Sequence, residues 1–192
     1  MRRLFLAAAF AAVFSAPALA QGSSAWDIDP NHGKAQFTVR HLGISNVQGE
    51  FTRVTGVLVI DEQDITKSSV TATIDTTSLD TGNADRDKDV KSGPDFLDVE
   101  KFPTMTFQSK SVSRGSDGKL LVTGALTLHG VTKDVTFHVD GPSEQIKDPW
   151  GKQRRGASAT ATIHRSEFGV TKYPGLISED LAIVLDVELV KK

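Results

Sequence analysis

The sequence predicts an all-β fold, an eight-stranded antiparallel barrel with a short helix closing one end. Beyond residue 21, apolar and polar residues alternate with a period of two over most of the chain, as in strands that bury one face. Asp117-Gly118 lies between two such runs and favours a tight hairpin, because both residues tolerate positive φ. The sequence shows no parallel crossover, and eight curved antiparallel strands favour a closed barrel over a sandwich.

Each predicted strand is defined by its alternating apolar register. The eight strands cover residues 34–42, 48–61, 67–76, 104–112, 119–129, 132–141, 155–165 and 181–191. The register is clearest at Ala35, Phe37 and Val39, at Val70, Ala72 and Ile74, at Leu120, Val122, Leu126 and Leu128, at Val135, Phe137 and Val139, at Ala157, Ala159, Ala161 and Ile163, and at Ile183, Leu185, Val187 and Leu189. Gly49 and Gly56 lie inside the long second strand, and we interpret them as bulge or bend positions of a curved sheet.

One segment between the third and fourth strands departs from this pattern. Asn83 is placed to cap a short helix, with Asp87 spaced to pair with Lys91, and Gly93-Pro94 is expected to end it. An apolar stretch too irregular for a strand follows the helix. We place the helix and this stretch across one end of the barrel, as a lid or plug.

The first twenty residues have the pattern of a cleavable secretory signal peptide. Arg2-Arg3 precede a short apolar run, and Ala18 and Ala20 stand at the −3 and −1 positions of a cut between Ala20 and Gln21. The apolar run is too short to span a bilayer. We therefore expect residues 21–192 to work outside the cytoplasm as one domain with no integral membrane span.

Composition limits the classes of function. The chain has no cysteine, so a hydrophobic core must stabilise it without disulfides, and about 170 residues are enough to form one. The 22 Lys and Arg residues and 24 Asp and Glu residues give a net charge of −2. Binding to nucleic acid, which requires a strongly basic surface, is therefore not expected.

The sequence contains no recognisable catalytic or metal-binding motif. Its five histidines (His32, His41, His129, His138 and His164) lack the close spacing of a zinc site, and thiolate ligands are absent. No serine elbow or phosphate-binding glycine loop is present. We predict no catalytic residues, no metal and no cofactor, hence a protein that is not an enzyme. His41 and His129 lie at strand ends, where either a structural role or contact with a polar head group is consistent with their positions.

The aromatic residues allow two interpretations, a filled barrel core or a hollow lumen, because an eight-stranded barrel can also hold one hydrophobic small-molecule ligand. The candidate lumen residues are Phe37, Val39, Phe51, Phe96, Phe102, Met105, Phe107, Leu126, Leu128, Phe137 and Phe168. A charged head group is costly to bury, so it should stay at a barrel mouth. The candidate head-group residues are Arg40, His41, Arg86, Lys91 and His129. The neighbouring Asp85, Asp87 and Asp89 would repel an anionic head group.

From Trp26 to Lys192 the chain resembles the YceI-like family of periplasmic, lipocalin-like polyisoprenoid-binding proteins. The motifs that carry the resemblance are WDID at Trp26–Asp29, FTVRHLGISNVQGEF at Phe37–Phe51, TGNADRDKDVKS at Thr81–Ser92, FLDVEKFPTMTF at Phe96–Phe107, LTLHGVTKDVTF at Leu126–Phe137 and RSEFGVTKYPG at Arg165–Gly175. The chain departs from the family pattern at three positions, with Asp89 for a histidine, Lys91 for an arginine and Asp134 for a proline.

The resemblance implies a lipocalin-like barrel with an apolar tunnel for a prenyl-type or similar long-chain amphiphilic lipid. It also implies a homodimer in many members, and it implies no catalysis. The alternative from the residues alone is a structural or stress-associated module with a filled core, or a subunit that binds a partner through its surface. An apolar tunnel in the structure would distinguish the two.

Overall fold

The computed structural model describes residues 22–192 and consists of antiparallel strands with one α-helix. The strands are β1 Ser23–His41, β2 Ser45–Phe51, β3 Val54–Asp61, β4 Ser69–Asp75, β5 Leu79–Asp80, β6 Thr104–Arg114, β7 Leu120–Leu128, β8 Val131–Asp140, β9 Ile146–Lys147, β10 Gln153–His164 and β11 Ile177–Lys191. The helix α1 covers Ala84–Ser92, and three short 3-10 helices cover Ile65–Lys67, Thr76–Ser78 and Arg165–Phe168. The predicted signal peptide, with its cut between Ala20 and Gln21, lies outside the described residues.

The structure confirms the predicted eight-stranded antiparallel barrel. The strands follow the order β11-β10-β8-β7-β6-β4-β3-β1, and pairing of β1 with β11 closes the ring. β2 and β3 lie one after the other along β1 and together take the place of one strand. The short strands β5 and β9 add to β2 and β10. Within residues 22–192, no helix has the length and apolar character that crossing a membrane would require.

The predicted strand over residues 48–61 is interrupted, but not at its glycines. β2 ends at Phe51 because the backbone N–H groups of Thr52 and Arg53 turn to Ser78, binding its carbonyl and its hydroxyl oxygen. Gly49 pairs in regular register with Phe37, and a Cβ there would lie 2.5 Å from the Phe37 ring. Gly56 likewise pairs in regular register with Ala72, so neither glycine forms a bulge, and at Gly49 the absence of a side chain makes room for an aromatic ring.

β1 begins at Ser23, well before the predicted start at residue 34. Its register against β11 shifts between Ile28 and Gly33, so the alternation that marks a strand is lost in this stretch. The first part of β1, Ser23–Asp27, pairs regularly with β3. A bulge thus hid the beginning of the strand from the sequence pattern.

The barrel end opposite α1 is closed by packed side chains. Trp26 is fully buried, and its indole Nε1 donates to Ser24 Oγ at 2.7 Å. Ser24 Oγ in turn donates to Glu62 Oε1 at 2.6 Å, and Arg155 donates to the other oxygen of this carboxylate at 2.9 Å. The hydrogen bond from Ser24, followed by that from Arg155, lowers the pKa of Glu62 below its usual value. At this end the barrel interior is therefore occupied by the Trp26 ring and the hydrogen-bonded groups beside it.

The end that carries α1 is built from loops. Residues 42–44, 76–103, 129–130 and 165–176 connect the strands there. Asn83 caps α1 as predicted, its side chain accepting from the Arg86 backbone N–H at 3.0 Å. The predicted ion pair between Asp87 and Lys91 was wrong, because the Asp87 carboxylate turns back and accepts from the backbone N–H of Thr81 at 2.9 Å.

Candidate ligand-binding cavity

The barrel is hollow, with an interior cavity of about 430 Å³. Its lining extends from Leu58 and Val122 in the half that lies away from α1 to Arg86 and Tyr173 at the loop end. The volume falls within the range typical of small-molecule sites. Because the lining is almost entirely apolar, the cavity is suited to a hydrocarbon rather than to a polar ligand.

Nine of the eleven candidate lumen residues line this cavity. They are Phe37, Val39, Phe51, Phe96, Met105, Phe107, Leu126, Leu128 and Phe137. The structure places Phe102 and Phe168 elsewhere. The Phe102 ring packs edge-on against His129 at 4.7 Å, and Phe168 is 1% exposed within the 3-10 helix Arg165–Phe168. Neither residue lies in a strand, so alternation gave no information about its direction. The part that the nine take in ligand binding stays a prediction.

The cavity exists because bulky and small side chains share the inward register. Phe107 and Phe137 form an edge-to-face pair 5.1 Å apart, a favourable arrangement that holds both rings against the barrel wall. β10 contributes Ala157 and Ala159 at lining positions where larger side chains would fill the interior. Aromatic side chains on some strands and alanines on β10 thus together surround an open lumen.

Of the five candidate head-group residues, the cavity lining includes His41 and Arg86 but not Arg40, Lys91 or His129. The Arg40 guanidinium points to the β1–β2 turn, where it donates to the Gly43 carbonyl and to Asn46 Oδ1. His129 packs against Phe102, and its Nε2 is buried with no hydrogen-bond partner in the described part of the chain. The candidate head-group residues therefore do not form one cluster.

The polar groups at the loop end are largely engaged with one another. Arg86 donates from Nε to Thr81 Oγ1 at 2.8 Å and from Nη2 to the Thr81 carbonyl at 2.6 Å. Asp89 accepts from the Tyr173 hydroxyl at 3.2 Å and lies 4.0 Å from Lys172 Nζ. This mouth of the cavity carries both signs of charge, so an anion would meet no dedicated cluster of donors here.

Arg165 is a residue of the mouth that the sequence analysis did not identify. It is 2% exposed, and its guanidinium donates to the carbonyls of Val170, Lys172, Ile177 and Ser178 and to Glu179 Oε1. It fixes the loop 165–176 from beneath. The sequence did contain a signal for its burial, because Arg165 continues the inward register of Ala161 and Ile163.

An outer cluster brings Asp29, His32 and Glu188 close enough to hold a metal ion. The guanidinium of Arg154 already lies among them, with Nη1 2.6 Å from Asp29 Oδ2 and 2.9 Å from Glu188 Oε2. A cation entering this cluster would meet that positive charge at close range. That the protein binds no metal stays a prediction.

The Asp29–Arg154 pair should make folding stability depend on pH. The hydrogen bond from Arg154, followed by that from the Asn31 backbone N–H, holds the pKa of Asp29 well below its usual range. A depressed carboxyl pKa stabilises the fold above the unfolded value, about pH 4, and this contribution is lost as pH falls through the folded value. Asp29→Asn should therefore lower the melting temperature by roughly 5 °C near neutral pH, with the deficit shrinking as pH approaches about 2.

Thermal melts of Asp29→Asn over a pH series test this expectation. Asp134→Asn is the matched control, because Asp134 forms an exposed ion pair with Lys110 and should contribute little at any pH. A deficit for Asp29→Asn that is constant between the neutral and acid ends would contradict the argument.

Comparison with known proteins matches residues 26–189 to the YceI-like domain. A UPF0312 protein of Vibrio vulnificus is 39% identical over 172 residues, which are 88% of this chain and 89% of the relative. The solved structure of a Campylobacter jejuni YCEI protein is 31% identical, with a TM-score of 0.66 over 78% of this chain and 87% of that one. A polyisoprenoid binding domain from Saccharophagus degradans has a TM-score of 0.63 over 88% of this chain and 99% of its own, and at 15% identity it shows a shared fold alone.

Proposed function

Since the chain belongs to the YceI-like domain family, we propose that it binds a polyisoprenoid or a similar long-chain amphiphilic lipid inside its barrel. The observation that carries this proposal is the apolar cavity of about 430 Å³. The similar fold from Saccharophagus degradans is described as a polyisoprenoid binding domain, which supports the choice of ligand class. A filled core, the alternative from the sequence, has no support in a barrel with this interior.

The binding free energy is proposed to come from the hydrocarbon tail. Each methylene moved from water into the lumen contributes about 0.8 kcal/mol, so a chain of a dozen carbons can bind tightly even after the costs of ordering it. The sum over a longer chain would pass the observed ceiling of about −20 kcal/mol and so cannot be taken literally. Tail length should therefore matter more than the chemistry of the head group.

The head group of the ligand is proposed to lie at the mouth near α1. The opposite end is closed around Trp26, whereas His41, Arg86 and Asp89 give the loop end its polar lining. Arg86 is held by Thr81 and Asp89 by Tyr173, so the mouth tolerates a neutral or singly charged head without selecting it. Because these groups are not arranged around a reacting position, the proposed role is binding and carriage rather than catalysis.

A periplasmic carrier is the form of this function that we propose. The signal-peptide pattern of residues 1–20, with its cut between Ala20 and Gln21, supports export. A soluble carrier can shield a lipid tail from water while it moves between membranes. The homodimer implied by the family resemblance stays a prediction.

Displacement of a fluorescent fatty-acyl probe by a prenyl alcohol, its monophosphate and its diphosphate, each at low and high salt, tests the proposal. We expect all three to displace the probe, with affinities that agree within roughly tenfold, because the tail dominates. Failure of all three would reject the lipid-binding function. A roughly hundredfold preference for the diphosphate that high salt removes would instead reveal an anion site. It would contradict the claim that the hydrocarbon tail supplies most of the binding free energy.

A further inference from the structure

The mouth of the cavity is bordered by exposed apolar side chains. Leu42 and Ile44 in the β1–β2 turn are 51% and 76% exposed, and Tyr173 and Leu176 in the β10–β11 loop are 42% and 47% exposed. We call these four residues the rim. Large apolar side chains with this exposure, gathered on adjacent loops, commonly mark a surface that contacts another molecule or a membrane.

The two loops of the rim are connected by a backbone hydrogen bond. The Leu42 backbone N–H donates to the Leu176 carbonyl at 2.7 Å, which ties the turn to the loop. Arg40 holds the turn through the Gly43 carbonyl, and the buried Arg165 holds the loop from beneath. A rim built in this way presents its apolar side chains in a fixed arrangement.

Two rim residues adopt backbone conformations that bulky side chains rarely take. Leu42 has φ of 52° and Tyr173 has φ of 55°, in the left-handed region that favours glycine. Such strain persists where the surrounding structure imposes it, and it is common at functional sites. The backbone at these two rim residues is therefore held in place by the surrounding structure.

The rim is continuous with the lumen. Tyr173 and Ile177 line the cavity and belong to the same stretch as Leu176, while His41 lines it directly before Leu42. The cavity thus reaches the rim, with the Tyr173 and Ile177 side chains on one side and the polar His41 on the other. A lipid tail that enters between them would avoid water if the rim were itself immersed in lipid.

We propose that the rim docks the protein on the surface of a lipid bilayer and that the ligand passes between bilayer and barrel across it. This inference rests on the proposed function. Leu42, Ile44 and Leu176 enter the boundary between head groups and acyl chains, and Tyr173 takes the interfacial position that its amphipathic ring favours. Arg40 beside the rim carries a positive charge, whereas Lys172 lies 4.0 Å from the Asp89 carboxylate, so docking should depend on the apolar side chains more than on anionic lipids.

The size of the rim favours a bilayer over a second copy of this chain. If a large apolar residue exposes up to ~200 Å², the four side chains offer roughly 400 Å² in total. A stable protein–protein interface buries about 800 Å² on each partner. Insertion into a bilayer has no such requirement, because a few apolar side chains suffice for reversible binding.

The test compares Ile44→Ser with Ile146→Ser, the same change at an isoleucine that is 60% exposed at the opposite end of the barrel. Vesicles of phosphatidylcholine and phosphatidylglycerol carry the fatty-acyl probe, and both vesicle binding and the rate of probe transfer to the protein are measured. Ile44→Ser should lower both by roughly tenfold, because one large apolar contact with the bilayer is lost. Ile146→Ser should match the wild type.

Binding of the probe at equilibrium in water, measured without vesicles, separates this inference from the proposed function. It should be unchanged in both variants, and failure of the wild-type protein to bind the probe at all would reject the function itself. Normal probe binding with equal transfer rates in both variants would overturn the docking inference alone. A wild-type dimer that Ile44→Ser converts to a monomer in sedimentation would also overturn it, because the rim would then be a self-association surface.

Discussion

Replacing Ala159 by phenylalanine is expected to abolish tight binding of a long-chain lipid. Ala159 lies on β10 and lines the cavity, so a phenyl ring at this position would enter the volume of about 430 Å³. A ring that displaces four methylenes of the ligand removes about 3 kcal/mol of burial, which corresponds to a loss of roughly hundredfold in affinity. The longest ligands should lose most, since they use the whole length of the lumen.

The matched control is Thr160→Phe, the same aromatic on the next residue of β10, whose side chain is exposed on the outer wall. This variant should bind the probe as the wild type does. Both variants should fold, because the open lumen can accept a ring at residue 159 without overpacking a filled core. Thermal melts verify this. Wild-type affinity in a folded Ala159→Phe would place the ligand outside the barrel.

The strands that were predicted best are those with an uninterrupted register. In β7 every second residue from Leu120 to Leu128 is buried, so the alternation alone located the strand within a residue of its ends. The start of β1 was missed because the bulge between Ile28 and Gly33 breaks the period. A local pattern records the local direction of side chains, and it fails where hydrogen bonds from a distant segment, such as those of Ser78, decide where a strand ends.

The same limit applies to the cavity. Phe107 and Phe137 were assigned to the lumen through their strand register, and both line it. Phe102 and Phe168 were assigned with them, although each lies outside the strands, and the structure places both away from the lining. Sequence reasoning could not decide between a hollow and a filled barrel, because the volume left inside depends on how the two sides of the ring are spaced.

The burial of Arg165 was difficult to predict from the sequence for a different reason, namely its residue type. An arginine is rarely buried, so a position that continues the inward register just after β10 does not by itself predict burial. Two of its partners, the carbonyls of Val170 and Lys172, lie in a loop that has no periodic pattern. Such an arrangement becomes visible only when the loop is folded around the guanidinium.

Arg165→Met is expected to lower the free energy of unfolding by roughly 3 kcal/mol and the melting temperature by about 10 °C. Methionine keeps much of the apolar length but supplies no donor, so the carbonyls of Val170 and Lys172 lose the hydrogen bonds that the guanidinium donates at 2.9 and 2.8 Å. Buried acceptors without a partner keep their full desolvation cost. Arg165→Lys should recover little of the loss, because an ammonium group has three donors and cannot match the planar fork of arginine.

Urea unfolding of Arg165→Met and of Arg53→Met compares the unfolding free energy lost at a buried arginine with that lost at an exposed one. Arg53 pairs with Asp75 at 2.9 Å, but its side chain is 58% exposed, so the same change there should cost about 0.5 kcal/mol or less. The loop 165–176 carries Tyr173 and Leu176, and once its carbonyls are released it should also exchange its amide hydrogens faster in Arg165→Met. Equal losses of unfolding free energy in the two variants would show that the charge of an arginine matters and its burial does not. A large loss confined to Arg165→Met means that this side chain stabilises the loop at the mouth of the barrel.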